Sequence, residues 1–270
     1  MRMVEVLLHV LNSFAQVEGR VAGIRDPGAC LLLGEESCGK SALLFLAAAA
    51  VAARGGGGRV LFLAPRPLQT LPPPLLRLEP GGLRRIQFAY PGSAEGLLEV
   101  LASLHQSPGC LPSLLLLDGL DGYLRGPGRG DRAQQAAFIS ALLRDSAAWI
   151  SETLPQRAQC QVIVTLKTLT QEETTLDLGL PMIERYFPVK CMVKEELCQQ
   201  EGFQRYLVSF GGLAKSEAKG PPTSPSAEDC AWELLCEADD VTSIQPVKRE
   251  KKEREESQET WGSGEGTSRS

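Results

Sequence analysis

Between residues 29 and about 210 the chain alternates short apolar runs with longer stretches of helical periodicity. Residues 29–33, 59–64, 113–118 and 161–166 read as buried strands, and residues 85–90 as an alternating strand closed by Pro91-Gly92. Helical patterns fall between them. Residues 42–53 are apolar and alanine-rich, residues 93–105 follow Ser93 as N-cap, and a long amphipathic pattern runs from about 132 to 153. Residues 186–194 and 204–210 read as two strands with no long helix between them, an antiparallel pair expected at the sheet edge. Residues 65–83 hold six prolines and two glycines and are expected to be irregular. Continuous apolar strands separated by helices predict an α/β fold, a mostly parallel central sheet flanked by helices.

The ends differ from this core. Residues 1–28 read as a mildly helical leader that stops at Asp26-Pro27-Gly28, a turn signal. Residues 211–270 predict a disordered tail, with linker composition at 221–226, acidic charge alone at 228–240 and mixed charge at 248–256. Trp232 with Leu234 and Leu235 offers an alternative within it, a short docking segment. The basic run at 247–252 suits a nuclear import signal; the chain reads as cytosolic or nuclear, and of the two the nuclear location is expected.

Composition narrows the classes. A net charge of −5 does not suit a protein whose whole surface binds nucleic acid, so such binding would need a local patch. The eight cysteines form no CxxC pair and only His9 and His105 accompany them, which argues against a zinc site and for reduced thiols. No run reaches the roughly 18–20 apolar residues of a membrane span, and the N-terminus lacks a signal-peptide pattern.

The sharpest chemical signal is Gly34-Glu35-Glu36-Ser37-Cys38-Gly39-Lys40-Ser41, a full match to the phosphate-binding pattern GxxxxGK[ST] between a predicted strand and helix. The glycines let the backbone fold around phosphates with N–H groups turned inward at a helix N-terminus. Lys40 would reach the β- and γ-phosphates of ATP, and Ser41 would ligate Mg²⁺. Asp118, closing the run Leu114-Leu115-Leu116-Leu117, stands where the second metal carboxylate belongs. Hydrolysis further needs a group that orients water. Gly119 follows Asp118, and Ala64-Pro65-Arg66-Pro67 follows the second strand, so no carboxylate stands in either usual place; Asp121 remains a candidate. Past the fourth strand, Arg125, Arg129 and Arg132 lie among glycines and a proline. That loop is either a solvated surface or a contact for the phosphates of nucleic acid.

In this order the pieces resemble RecA-type recombinase paralogues over about residues 29 to 210. The carriers are the P-loop, the run ending in Asp118, Tyr123-Leu124-Arg125, and Gly128-Arg129-Gly130-Asp131. Further stretches, among them Arg66-Pro67-Leu68-Gln69 and Arg185-Tyr186-Phe187-Pro188, are similar to the small ATPases that associate with SWIM-type zinc-finger recombination proteins in Shu-type complexes. The resemblance implies a RecA-like core and a DNA-stimulated ATPase supporting homologous recombination repair. It implies a heterodimer with a SWIM-type zinc protein, work beside the strand-exchange recombinase and its paralogues, and single-stranded DNA held by Arg129 with Arg125 and Arg132. It departs from the family at Arg66, where recombinases carry a carboxylate, which puts efficient turnover in doubt. A nucleotide-binding pseudo-ATPase scaffold and a P-loop kinase outside DNA metabolism stay open as alternatives.

Overall fold

The computed structural model describes residues 7, 28–54, 58–106, 111–124, 129–155, 158–168, 180–198, 201–211, 231–237 and 240–247. Among the described residues nine strands form one sheet: β1 (Ala29–Gly34), β2 (Val60–Leu63), β3 (Ile86–Ala89), β4 (Leu114–Leu117), β5 (Gln161–Lys167), β6 (Val189–Glu196), β7 (Phe203–Gly211), β8 (Ala231–Glu237) and β9 (Asp240–Pro246). Their spatial order is β3-β2-β4-β5-β1-β6-β7-β8-β9. The first six in that row run parallel, and β7, β8 and β9 continue antiparallel. The α/β fold with a mostly parallel sheet is therefore as the hydrophobic pattern predicts. β1, β2 and β4 are buried at every position because helices cover both faces, so apolar residues are needed on both sides of each strand.

The described α-helices are α1 (Lys40–Ala53), α2 (Pro73–Leu76), α3 (Pro80–Leu83), α4 (Ala94–Ser103), α5 (Arg129–Thr153) and α6 (Leu180–Tyr186). α1 is nearly all apolar and alanine because it is sandwiched in the core, where Phe45 stacks on Phe62 of β2 with ring centroids 4.9 Å apart. Its C-terminal carbonyls do not go unmet, since Arg85 donates to Ala52 O at 3.1 Å and to Arg54 O at 2.7 Å. Ser93 caps α4 as expected, its Oγ accepting from Gly96 N at 3.1 Å.

Four expectations need correction. Residues 65–83 are not wholly irregular: α2 and α3 each begin on a proline, whose missing N–H costs nothing in a first helical turn. The β6–β7 pair exists, but Tyr186 ends α6 and the strand begins only at Val189, beyond Pro188. Nor is that pair the sheet edge. Residues 231–237 and 240–246, assigned to a disordered tail, are strands β8 and β9. Their acidic side chains hid a period of two: Trp232, Leu234 and Cys236 are buried while Glu237 is exposed, and Glu233 pairs with Arg205 of β7 at 3.2 Å. The described sheet extends well past residue 210, and Arg77 beside α2 pairs with Asp240 of β9. The 1–28 leader lies outside the described residues except for Leu7, which is buried in the core, and Gly28 at its end.

Candidate nucleotide-binding site

β1 ends at Gly34, and the chain turns through residues 35–39 before α1 starts at Lys40. Only glycine fits position 34: a Cβ there would fall 2.3 Å from Cys38 Sγ and 2.5 Å from Val193 O of β6. Ser37 and Gly39 both take positive φ, 59° and 74°. Left-handed residues alternating with ordinary ones turn successive N–H groups toward one side, making a concavity for anions at the positive end of α1. The Lys40 ammonium donates to Gly34 O at 2.8 Å and to Glu35 O, so its charge lies across the loop. Cys38 is buried beneath, while the side chains of Glu35 and Glu36 are exposed.

The metal-binding pair predicted from sequence is assembled. Ser41 Oγ donates to Asp118 Oδ2 at 2.7 Å, bringing α1 to the C-terminal end of β4. β5 lies between β1 and β4, and its Thr165 completes the junction. The Thr165 hydroxyl donates to Asp118 Oδ1 at 2.8 Å and accepts from Gly119 N at 2.7 Å. Both Asp118 oxygens are thus oriented, with Gly119 at φ 76° making the turn away from the strand. A hydroxyl and a carboxylate form a hard-oxygen donor set that fits Mg²⁺, and the ammonium with inward amides fits a polyphosphate. Nearby, the buried Tyr123 hydroxyl donates to Pro91 O at 3.1 Å; burial, with a smaller push from the Asp118 charge, raises its phenol to about 12.

Three further residues touch this site, and sequence reasoning assigned none of them its role. The β1–β5 register sets Lys167 opposite Gly34, and Lys167 Nζ pairs with Glu36 Oε2 at 2.8 Å. That hydrogen bond and charge hold the Glu36 carboxyl below the usual carboxylate range. Asp121 accepts the Lys167 backbone N–H at 3.1 Å, so one of its oxygens serves the end of β5. Tyr206 of β7 donates its hydroxyl to Ser37 O at 3.0 Å from beneath the loop. Thr165 carried a sequence signal, a polar residue near the end of an apolar strand; Tyr206 carried none.

Of the three arginines, only the Arg132 side chain falls among the described ones. Arg125 lies outside the described residues. Arg129 and Gly130 are not in a loop but in the first turn of α5, which begins three residues earlier than the amphipathic pattern indicated. Arg132 follows one residue beyond Asp131, partly exposed. At the end of β2, Arg66 is exposed, and Pro65 packs toward Gly122.

No protein-family model matches the chain. A mouse protein named ATPase SWSAP1 is 42% identical over 197 residues, covering 72% of this chain and 68% of that protein. A human protein of the same name is 44% identical over 167 residues, 62% of this chain and 71% of its own length.

Proposed function

The chain belongs to the ATPase SWSAP1 family, and from that membership and the geometry around Lys40 and Asp118 we propose that it is a Mg²⁺-dependent, ATP-binding accessory factor in homologous recombination. The observation that carries the nucleotide half is the convergence of the GxxxxGKS loop, Asp118 and Thr165 at the C-terminal ends of β1, β4 and β5. Open parallel sheets bind ligands at that edge, where the chain's crossovers part.

The division of labour follows from the donor types. The amides of residues 35–41 and the Lys40 ammonium hold the β- and γ-phosphates. Ser41 and Asp118 would hold Mg²⁺ through their oxygens, and the ion would supply charge neutralisation for the phosphates when bound. Thr165 keeps the carboxylate aimed. Turnover is slow in this proposal, because Arg66 stands at the end of β2 and Asp121 is engaged with the Lys167 amide.

Single-stranded DNA meets Arg125, Arg129 and Arg132, whose guanidinium groups suit phosphate oxygens. The factor works in the nucleus, paired with a SWIM-type zinc-finger protein and beside the strand-exchange recombinase. What supports this part is the resemblance of residues 123–131 to the recombinase pattern, together with family membership. A second reading, a scaffold that binds nucleotide without turnover, is favoured by the same Arg66 and Asp121 observations.

Phosphate release with and without single-stranded DNA separates them. Stimulation by DNA that is lost in Lys40→Ala, and weakened severalfold in the Arg129→Ala/Arg132→Ala double variant, supports the ATPase reading. Nucleotide binding with no turnover under any condition assigns the scaffold. Phosphoryl transfer to a small acceptor, indifferent to DNA, overturns the recombination reading.

A further inference from the structure

Tyr206 contacts both left-handed residues of the phosphate loop at once. Its hydroxyl meets the carbonyl of Ser37, and a Cβ placed on Gly39 would lie 3.0 Å from its Cε2 and 3.1 Å from its Cδ2. The ring is 2% exposed, held in β7 between β6 and β8 in the sheet, and Gln204 Oε1 lies 3.0 Å from the hydroxyl. Ser37 is the only non-glycine described residue with positive φ. Serine in that region is strained, and such conformations persist only when their surroundings over-determine them.

From this geometry we infer that Tyr206 is a positioning residue for nucleotide binding: it fixes the peptide between Ser37 and Cys38 so that the Cys38 amide faces the phosphates. The peptide is trans, as all described ones are. In a trans peptide the C=O and the following N–H point in opposite directions. A Ser37 carbonyl anchored below the loop on Tyr206 therefore turns the Cys38 N–H upward, into the concavity. Without the phenol, Ser37 is free to relax to negative φ, a rotation about its N–Cα bond that relieves its strain and swings its carbonyl and the Cys38 N–H out of place for a phosphate. The ring edge against Gly39 limits the second left-handed residue in the same way.

The inference rests on the nucleotide-binding reading, and its test is separable from that reading. Calorimetric titration of the full chain with MgADP gives a dissociation constant for the unmutated protein, Tyr206→Phe, and the Tyr206→Phe/Ser37→Gly double variant. Tyr206→Phe keeps the ring and removes one hydroxyl, so its ligand-free melting temperature should move little. Its affinity should fall about five- to tenfold, the worth of one hydrogen bond to a strained peptide. Glycine visits the left-handed region freely, so Ser37→Gly should restore the double variant to within about twofold of the unmutated protein. General damage to the core would not be repaired by that change. Equal affinity in Tyr206→Phe, or no recovery in the double variant, overturns the positioning role while nucleotide binding stands. No MgADP binding by the unmutated protein overturns both.

Discussion

Thr165 shows how much of the site hangs on a residue with no motif to announce it. Its hydroxyl spends its donor on Asp118 and accepts the Gly119 amide, at 2.8 and 2.7 Å, while 1% exposed. Thr165→Val keeps the branched shape and strands the Gly119 N–H, which should destabilise the fold by about 1–3 kcal/mol. Asp118 also loses the partner on Oδ1, leaving it free to turn from Ser41. The variant should therefore lose most of the affinity that Mg²⁺ adds to ATP, measured as the ratio of binding with Mg²⁺ to binding in EDTA. An unchanged ratio would mean that Ser41 alone orients the carboxylate. At this scale the P-loop and Asp118 were legible because phosphate binding demands fixed residue types at fixed spacing. Tyr206 was not, because it reaches Ser37 across 169 positions and any buried tyrosine in an alternating strand looks alike.

Elements became legible in proportion to how fully they are buried. β1, β2 and β4 are read directly from unbroken apolar runs, and β5 from a run interrupted by Thr165, because both faces of the central sheet are covered. β8 and β9 went unread because they are half-buried strands whose polar face carries acidic residues and whose neighbours have linker composition. The buried alternation Trp232, Leu234, Cys236 was present in the sequence but is only a few residues long. Trp232 decides the matter experimentally. It is 3% exposed and meets Phe210 of β7 edge to face, ring centroids 5.6 Å apart at 86°. Trp232→Ala in a packed strand should cost about 3–5 kcal/mol, seen as a lower denaturant midpoint. In a disordered tail it would cost nothing, so an unchanged midpoint would return β8 to the tail.

At the scale of the molecule, the site has no local existence. Its parts come from β1 and α1 (Gly34, Lys40, Ser41), β4 and β5 (Asp118, Thr165), and the floor from β6 and β7 (Val193, Tyr206), so the middle of the sheet must be assembled before a phosphate meets all its donors. A ligand that needs this arrangement binds the native state and not the unfolded chain, and stabilises it by mass action. At a concentration one hundred times its dissociation constant, MgATP should add about 2.7 kcal/mol. For a core of this size that is a rise in melting temperature of roughly 5–10 °C. Lys40→Ala should abolish the shift while leaving the ligand-free melting temperature close to that of the unmutated chain, since Lys40 is only partly buried and bonds within its own loop, to two carbonyls and the Cys38 thiol. Were the P-loop able to form its site without the sheet, the unfolded chain would bind as well and the shift would shrink toward zero. A full shift in the unmutated protein, absent in the variant, therefore tests the nucleotide site and its dependence on the whole fold in one measurement.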